Sequence, residues 1–186
     1  MLGSITPPGR LLSALNTSAE RTNGNEHQIE VIDLGSKRLD FADGRPPVQH
    51  DDDSAAIIDE VSSADAVVFA TPVYRGSYTG ALKNLLDLLP VESLQGKPVG
   101  IVAMGATQHH FLGAEWHLRD VLAWFGALVA PTAVYLTSAD FQDGAPTGAA
   151  LDQLGELLKT VSKLSAALGG AALGPTPLAA RAQGRG

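Results

Sequence analysis

The sequence predicts an α/β fold with a doubly wound parallel β-sheet, covered by helices on both faces. Two observations carry this prediction: short apolar runs alternate with segments of helical periodicity, and glycine-bearing or polar loops follow the apolar runs. Strands that alternate with helices along a chain form parallel sheets that are buried on both sides. With 186 residues, 45% of them hydrophobic, the chain is long enough for one domain with a full core.

The predicted elements follow one another in the order that such a sheet requires. Gly3–Gly9 is a loop, Lys37–Asp53 is a long polar connection, and Phe141–Gly148 is a second loop. Leucine and valine at helical spacing predict a final helix that ends at Leu168 and lays one apolar stripe on the sheet. We predict strands at Ile29–Leu34, Ala66–Ala70, Pro98–Ala103 and within Leu128–Leu136, and further helices at Arg10–Glu20, Ala55–Val61, Tyr78–Leu89 and Phe111–Gly126.

The segment after Leu168 differs in composition from the rest of the chain. Residues 169–186 are glycine, alanine and proline with scattered arginines, and they show no periodic pattern. Such a composition buries too little apolar surface to offset the entropy of ordering the chain. We therefore predict one folded domain at residues 1–168 and a disordered tail at residues 169–186.

Composition and charge exclude several classes of function. The formal net charge of -7 argues against binding to nucleic acid or to an anionic membrane, both of which favour a basic surface. The absence of cysteine excludes disulfides, thiol nucleophiles and thiolate-bound metals. No apolar run reaches the roughly 18 residues of a membrane span, and no signal peptide is recognised, so the expected location is cytoplasmic. Neither GxxxxGK[ST] nor GxGxxG nor a GxSxG elbow is present, which disfavours ATPases, Rossmann dehydrogenases and serine hydrolases.

The loop after the third predicted strand is the strongest candidate for a binding site. Thr71–Asp87 reads TPVYRGSYTGALKNLLD, so a proline, two tyrosines and two glycines come between a strand and a helix. Ligands bind where the carboxyl ends of parallel strands open onto such loops. Tyr74 and Tyr78 offer flat aromatic faces, and Gly76 and Gly80 let a ligand approach the backbone closely. The combination favours a large, planar, phosphorylated cofactor.

Two further loops are predicted to lie on the same edge of the sheet. In Gly3–Gly9, Ser4, Thr6 and the amides at the start of the next helix suit a phosphate, with Arg10 adding charge, although a plain turn explains the same residues. Gly105–His110 has small residues and donors that suit the polar edge of a flavin.

Other polar residues have simple structural interpretations. His110 and His117 share a helix face near Glu115, but their spacing matches no common metal motif, so packing, interface or site-shaping roles are favoured. Lys83 and Asp87 are one helical turn apart and form a plausible surface pair. The run of aspartates at residues 51–53 is explained as a solvated segment that ends in a helix cap.

At these residues the chain resembles the NADPH-dependent FMN reductases, and within them the branch of the alkanesulfonate and methanesulfonate FMN reductases. The resemblance runs from about Gly3 to Leu168 and is strongest in ATPVYRGSYTGALKNLLDLLP, residues 70–90, and in LQGKPV, residues 94–99. A second block, GATxxHxLxxEWxLRxVL, covers residues 105–122. The resemblance implies a flavodoxin-like fold with a doubly wound parallel five-stranded sheet. It also implies the cofactors FMN and NADPH or NADH, and the delivery of reduced flavin to a separate flavin-dependent monooxygenase.

The resemblance assigns roles by motif position. It implies that the first loop binds the FMN phosphate and that the second and third loops hold the isoalloxazine ring. Arg75 is the candidate contact to an NADPH phosphate or to the flavin, and surface exposure is its simple alternative. Subunits of related enzymes pack as homodimers or homotetramers through the helices after these loops, which makes Leu85, Leu88, Leu89 and Trp116 candidate interface residues. The candidate cofactor-binding residues are Ser4, Thr6, Arg10, Pro72, Val73, Tyr74, Arg75, Gly76, Ser77, Gly105, Ala106 and Thr107.

The chain departs from the family pattern in two places. Leu11 and Leu12 stand where a hydroxyl residue is usual after the basic position of the phosphate loop, which predicts loose flavin binding. The family's first strand lies between the second and third, and a strand takes about 5–6 residues. Only Met1 and Leu2 precede Gly3, so the first strand is predicted to be truncated.

The reaction implied by the resemblance requires no catalytic side chain from the protein. The flavin is the electron sink for a hydride from the nicotinamide, so no protein acid or base is required, and we predict no catalytic side chain and no metal ligand. Three alternatives remain open on the same fold. They are a quinone or azo-dye reductase with permanently bound FMN, a flavodoxin-like electron carrier without a nicotinamide site, and a non-catalytic flavin-binding remnant.

Overall fold

The computed structural model describes residues 2–3, 9–24, 28–168 and 173–175. The strands are β1 (Leu2–Gly3), β2 (Ile32–Asp33), β3 (Val67–Pro72), β4 (Pro98–Met104), β5 (Leu128–Val129), β6 (Val134–Leu136), β7 (Phe141–Gln142) and β8 (Ala145–Pro146). The helices are α1 (Arg10–Thr22), α2 (Ser54–Ser63), α3 (Gly80–Leu88), α4 (Phe111–Trp124) and α5 (Gly148–Leu168). None of the helices in these ranges combines the length and the apolar character that crossing a membrane requires.

The main sheet confirms the predicted parallel, doubly wound architecture. Its strand order is β2-β1-β3-β4-β5, and every pair in it is parallel. β1 takes the central place expected of it, because Leu2 pairs with Ile32 of β2 on one side and with Phe69 of β3 on the other. The predicted truncation of this strand stays a prediction.

Alternate residues of β3 face opposite layers of the core. Val67 and Phe69 belong to a cluster that packs against α2, α3 and α4. Val68 and Ala70 belong to a second cluster that packs against α1 and α5. Successive side chains of a strand point to opposite faces, so both faces of the sheet are covered, as the alternation of strands and helices predicts.

The fifth predicted strand is broken in two, so the sheet has six strands rather than five. β5 and β6 both pair with β4, and the amide of Ala130 still donates to the carbonyl of Val99 at 2.8 Å, so the chain leaves the ladder over residues 131–133. Pro131 lies in this gap and has no N–H to donate to a sheet. The guanidinium of Arg119 on α4 donates to the carbonyls of Ala130 and Pro131 at 2.8 and 3.0 Å, which replaces the missing partners.

The segment predicted as a loop at Phe141–Gly148 contains a β-hairpin instead. β7 and β8 pair antiparallel around Asp143 and Gly144, which have φ angles of 50° and 84°. Two central residues with positive φ are typical of the type I′ turns that close two-residue hairpins, and Asp-Gly is a preferred sequence for them. The Asp-Gly pair was therefore an available signal that the interpretation as a loop did not use.

Three leucines at the end of α3 that were candidate interface residues, two within the helix and one directly after it, lie in the core of the chain. Leu85, Leu88 and Leu89 are at most 6% exposed and belong to the cluster that packs on β3 and β4. Side chains buried within one chain have no surface left for a partner, so their prediction as interface residues was wrong. Trp116 on α4 is 60% exposed, so its surface is accessible.

The long connection from Lys37 to Asp53 is tied to the domain by polar side chains. Its only regular element is a short 3-10 helix, Pro47–Gln49. Asn84 of α3 donates to the carbonyl of Asp40 and accepts from the amide of Ala42, both at 3.0 Å. The amide of Arg38 donates to a carboxylate oxygen of Asp53 at 2.8 Å. The interpretation of the aspartate run as simply solvated is thus corrected for Asp52 and Asp53, whose carboxylates accept from backbone amides, whereas Asp51 is exposed. Asp53 stands at the N-cap of α2 as predicted, but its side chain makes no cap hydrogen bond.

The predicted domain boundary and tail stay predictions. Of the segment 169–186, the structure describes only residues 173–175.

Candidate functional site

The loops that follow β3 and β4 meet at the carboxyl edge of the sheet. The amide of Val73, the first residue after β3, donates to the carbonyl of Met104, the last residue of β4, at 2.8 Å. This bond joins the ends of two neighbouring strands and fixes where both loops begin. The second and third predicted site loops are therefore brought together, as the sequence predicts.

A tight turn at Tyr74–Ser77 forms the centre of this edge. The amide of Tyr74 donates to the carbonyl of Ser77 at 2.9 Å, and the amide of Ser77 donates to the carbonyl of Tyr74 at 3.1 Å. Between them, Arg75 and Gly76 have φ angles of 53° and 78°. Positive φ is unfavourable for a long side chain such as arginine, and such backbone strain is concentrated at functional sites. The turn displays Tyr74, which is 49% exposed, beside an exposed Arg75.

Helix α4 braces this turn from one side. A Cβ atom on Gly113 would overlap the carbonyl oxygen of Gly76, so only glycine lets the helix approach the turn this closely. One helical turn later, Nδ1 of His117 lies 2.9 Å from Oγ of Ser77 in a hydrogen bond. The sequence did not single out Gly113, and its pattern favoured a packing or interface role for His117. The spacing of four residues, which puts both on one helix face, was the signal available.

Two threonines fix the segment that connects this turn to α3. The amide of Thr79 donates to the buried hydroxyl oxygen of Thr71 at 3.1 Å. The hydroxyl oxygen of Thr79 accepts from the amide of Leu82 at 3.3 Å and caps α3. The segment between β3 and α3 is thus held at both ends by local hydrogen bonds, which leaves the Tyr74–Ser77 turn little freedom.

The loop after β4 is positioned by a tyrosine that the sequence analysis did not single out. The hydroxyl of Tyr135 on β6 donates to the carbonyl of Thr107 at 2.8 Å, and burial raises the pKa of this tyrosine. A Cβ atom on Gly105 would lie within van der Waals overlap of that same hydroxyl, so Gly105 must be glycine for the tyrosine to pass. Ala106 and Thr107 are consequently held at the surface of this edge.

The predicted phosphate loop falls largely outside the described residues. Ser4 and Thr6 are not among them, and Arg10 is the first residue of α1, where its guanidinium carbon lies 5.8 Å from the centre of the Phe141 ring. Gly9 is the N-cap of this helix and has no side chain with which to cap it. Free N–H groups at the amino end of a helix are suited to bind an anion.

Two of the three residues considered for a metal site have other partners. Glu115 accepts from the Nε of Arg119 at 2.8 Å, and His117 pairs with Ser77. Lys83 and Asp87 form the predicted ion pair on the surface of α3.

The geometry of this edge fits a flat cofactor. An added Cβ atom at Gly76 would meet nothing within 4 Å, so the space beside the turn is open. The exposed ring of Tyr74 and the accessible backbone of Gly76 and Ala106 line the edge, which suits a planar ring system with polar atoms on its rim. Eight of the twelve predicted site residues lie on the two joined loops, and a ninth, Pro72, is the last residue of β3. The eight are Val73, Tyr74, Arg75, Gly76, Ser77, Gly105, Ala106 and Thr107.

A parallel sheet of order 2-1-3-4-5 with such loops at its carboxyl edge defines a flavodoxin-like α/β protein. Comparison with known proteins specifies the family. The sequence pattern of the family described as NADPH-dependent FMN reductase matches residues 1–142, and the chain belongs to this family.

Individual relatives agree with this assignment. The chain is 32% identical over 171 residues to a protein of Pseudomonas putida named NADH-dependent FMN reductase SfnF, covering 86% of this chain and 88% of the relative. It is 40% identical over 118 residues to the NAD(P)H-dependent FAD/FMN reductase of Geobacillus thermodenitrificans, covering 63% of this chain and 64% of that one. The chain therefore spans less than two thirds of the Geobacillus relative. A solved structure of an apo NADH:FMN oxidoreductase, EMOB, matches with a TM-score of 0.69 at 22% identity, covering 87% of this chain and 88% of that one, which shows the shared fold.

Proposed function

We propose that the protein reduces FMN with NADPH or NADH and releases reduced flavin to a partner monooxygenase. The observation that carries the proposal is the Tyr74–Ser77 turn, fixed by Val73 to β4 and by His117 to α4 at the carboxyl edge of the sheet. Membership of the NADPH-dependent FMN reductase family and the names of the relatives support the reaction.

The residues of the two joined loops would hold the isoalloxazine ring. Backbone N–H and carbonyl groups of the turn and of Gly105–Thr107 would meet the polar rim of the ring, and Tyr74 offers an aromatic face for stacking. Ser4, Thr6 and Arg10 would bind the phosphate at the amino end of α1. Arg75 would contact an NADPH phosphate or the flavin, since guanidinium groups recognise phosphates by charge-assisted hydrogen bonds.

The chain's own contribution to the reaction is positioning. When bound, the flavin supplies the acceptor for a hydride from the nicotinamide. Because the turn is held at both ends, its backbone would contact the edge of the isoalloxazine ring and leave one face of the ring uncovered. No side chain needs to move a proton for hydride transfer, so we assign no catalytic residue.

The proposal extends to partners and location. Leu11 and Leu12 in place of a hydroxyl support loose FMN binding, as expected of a reductase that hands reduced flavin to a monooxygenase of the alkanesulfonate type. We also propose a homodimer or homotetramer. Trp116 and Trp124 are eight residues apart on α4 and are 60% and 58% exposed, which suits a surface that another subunit covers. The cytoplasmic location stays a prediction.

Kinetics with free flavin test this function. We expect oxidation of NADPH or NADH to depend on added FMN and to saturate with it, and the purified protein to carry less than stoichiometric flavin. Measuring both nicotinamides in parallel identifies the preferred one. Retention of tightly bound flavin with ping-pong turnover of a quinone would favour the bound-flavin reductase instead. Failure to oxidise either nicotinamide with FMN present would favour an electron carrier.

A further inference from the structure

A cluster of one histidine and two aspartates lies at the base of the connection between β2 and α2. Asp40, His50 and Asp52 each place one potential ligand atom so that the three atoms lie within 4.8 Å of one another. Asp40 and Asp52 are half-buried, and the side chain of His50 is fully buried, with 0% exposure. None of these residues belongs to the loops of the proposed flavin site.

The imidazole of His50 has no hydrogen-bond partner. Within the described part of the chain, neither Nδ1 nor Nε2 makes a hydrogen bond, although both are buried. Nε2 lies 3.7 Å from Oδ1 of Asp43, which is close enough for an ion pair when the imidazole is protonated but too far for a hydrogen bond. Buried polar groups nearly always make hydrogen bonds, so two buried ring nitrogens without one require an explanation.

The carboxylate of Asp52 is already oriented by the backbone. One of its oxygens accepts from the amide of Asp40, and the other accepts from the amide of Ser54 at 2.8 Å. Each carboxylate oxygen has a second lone pair, so these bonds leave Asp52 able to bind a cation. Hydrogen bonds of this kind orient and support metal ligands in proteins.

We propose that Asp40, His50 and Asp52 bind a divalent transition-metal ion, with zinc as the representative ion. Imidazole nitrogen together with carboxylate oxygen suits the first-row divalent ions, whereas calcium and magnesium favour oxygen ligands alone. Zinc bonds to these atoms are about 2.0–2.2 Å long, so bound ligand atoms would be about 3.3 Å apart. Binding therefore requires a modest contraction of the cluster, and the ion gives one buried ring nitrogen of His50 a direct bond in place of the hydrogen bond that it does not make.

The ion would join the two ends of the connection. Residues 38–40 and 50–53 already meet there, because the amide of Asp53 donates to the carbonyl of Arg38 at 2.9 Å. Asp40 lies on one of these ends, and His50 and Asp52 lie on the other. A shared metal ion would crosslink them, and its expected effect is on the stability of the connection rather than on hydride transfer.

Zinc titration of the chelator-treated full chain tests the proposal. We expect one zinc ion to bind with micromolar or better affinity and to raise the melting temperature. His50→Gln and Asp40→Asn should each weaken zinc binding at least about tenfold and abolish the rise in melting temperature. His109→Gln is the matched control: this histidine is exposed, and its replacement should change zinc affinity less than about twofold.

Two further measurements separate loss of zinc binding from loss of folding and locate the bound ion. Circular dichroism of each variant without zinc separates loss of binding from loss of folding, and if His50→Gln does not fold, Asp40→Asn decides. Zinc anomalous scattering from a crystal of the unaltered chain should give a peak between Asp40, His50 and Asp52. Zinc affinity unchanged in both variants, a peak only at other histidines, or no binding below millimolar zinc would overturn the proposal. FMN reduction is expected to continue without the metal, so a failure here is distinct from a failure of the proposed function.

Discussion

Two irregular segments follow strands at the same edge of the sheet, but different forces hold them. The Tyr74–Ser77 turn after β3 is fixed mainly by backbone hydrogen bonds and by the close approach of Gly76 to Gly113. The connection after β2 is fixed mainly by side chains, with Asn84, Asp52 and Asp53 accepting from its amides. The backbone hydrogen bonds and the steric contact of the first arrangement involve no ionisable group. The second depends on ionised carboxylates, and the difference can be tested at each contact.

Gly113→Ala should produce the largest effect, because the new Cβ atom would meet backbone rather than a flexible side chain. The turn or the helix must shift, and overpacking of this kind costs about 1–3 kcal/mol of the free energy of unfolding. If half of that cost falls on the bound geometry, FMN affinity falls about two- to twelvefold. Urea unfolding and flavin titration measure the two effects.

Gly155→Ala is the matched control for this substitution. Gly155 also lies within a helix, α5, but an added Cβ atom there meets nothing within 4 Å. Alanine should therefore raise the free energy of unfolding by about 0.5–1 kcal/mol without changing FMN affinity. Equal effects of the two substitutions would contradict the proposed brace between α4 and the turn.

Gly105→Ala should have a smaller effect, because the atom it meets is the end of the Tyr135 side chain. The tyrosine can rotate away, but it then loses its hydrogen bond to Thr107, which is worth about 0.5–1.5 kcal/mol. A double-mutant cycle with Tyr135→Phe measures this. We expect the double variant to be less destabilised than the sum of the two single variants, since both remove the same bond. Strict additivity would show that Gly105 and Tyr135 act independently.

Substitutions at Arg75 test whether the positive φ of this residue is connected with the binding of NADPH. Glycine adopts positive φ readily, so Arg75→Gly should raise the free energy of unfolding by about 1 kcal/mol, whereas Arg75→Ala should not. Both variants lack the guanidinium and should raise the KM for NADPH by a similar factor. The expected pattern is thus a stability difference without a kinetic difference. An unchanged KM in both variants would assign Arg75 to the exposed surface alone.

The sequence predicts the parts of this site that depend on local pattern, and it misses those that depend on contact. The strand-loop-helix order around Tyr74 is visible because apolar runs and glycines are adjacent in the chain. The break between β5 and β6 depends on Arg119 reaching Ala130 and Pro131 from another helix, and no local pattern reports that. The contact of Gly113 with Gly76 and the hydrogen bond from Tyr135 to Thr107 are missed for the same reason. Leu85 was assigned to an interface because related enzymes pack their subunits through this helix, and that resemblance does not report which of its side chains the chain's own core buries.

The smallest expected effect concerns the pH dependence of the connection. Burial alone would raise the pKa of Asp52, but hydrogen bonds from the amides of Asp40 and Ser54 outweigh it, so the pKa lies below the usual 3.8. A lowered pKa in the folded state means that the stabilisation is present above about pH 4 and is lost as the pH falls through the folded value. Asp52→Asn should therefore reduce the free energy of unfolding at pH 7, by less than about 1 kcal/mol, and have little effect near pH 2.

The exposed neighbour Asp51 supplies the matched control for that measurement. Asp51→Asn should leave the free energy of unfolding nearly unchanged at both pH values, because the contribution of an exposed carboxylate is small. Both titrations are done with a chelator present, so that the carboxylate bonds are measured without a metal ion. The destabilisation by Gly113→Ala should be the same at pH 7 and near pH 2, because steric contact with a backbone carbonyl does not titrate. A similar pH dependence in all three variants would refute the distinction between a turn held by backbone and packing and a connection held by carboxylates.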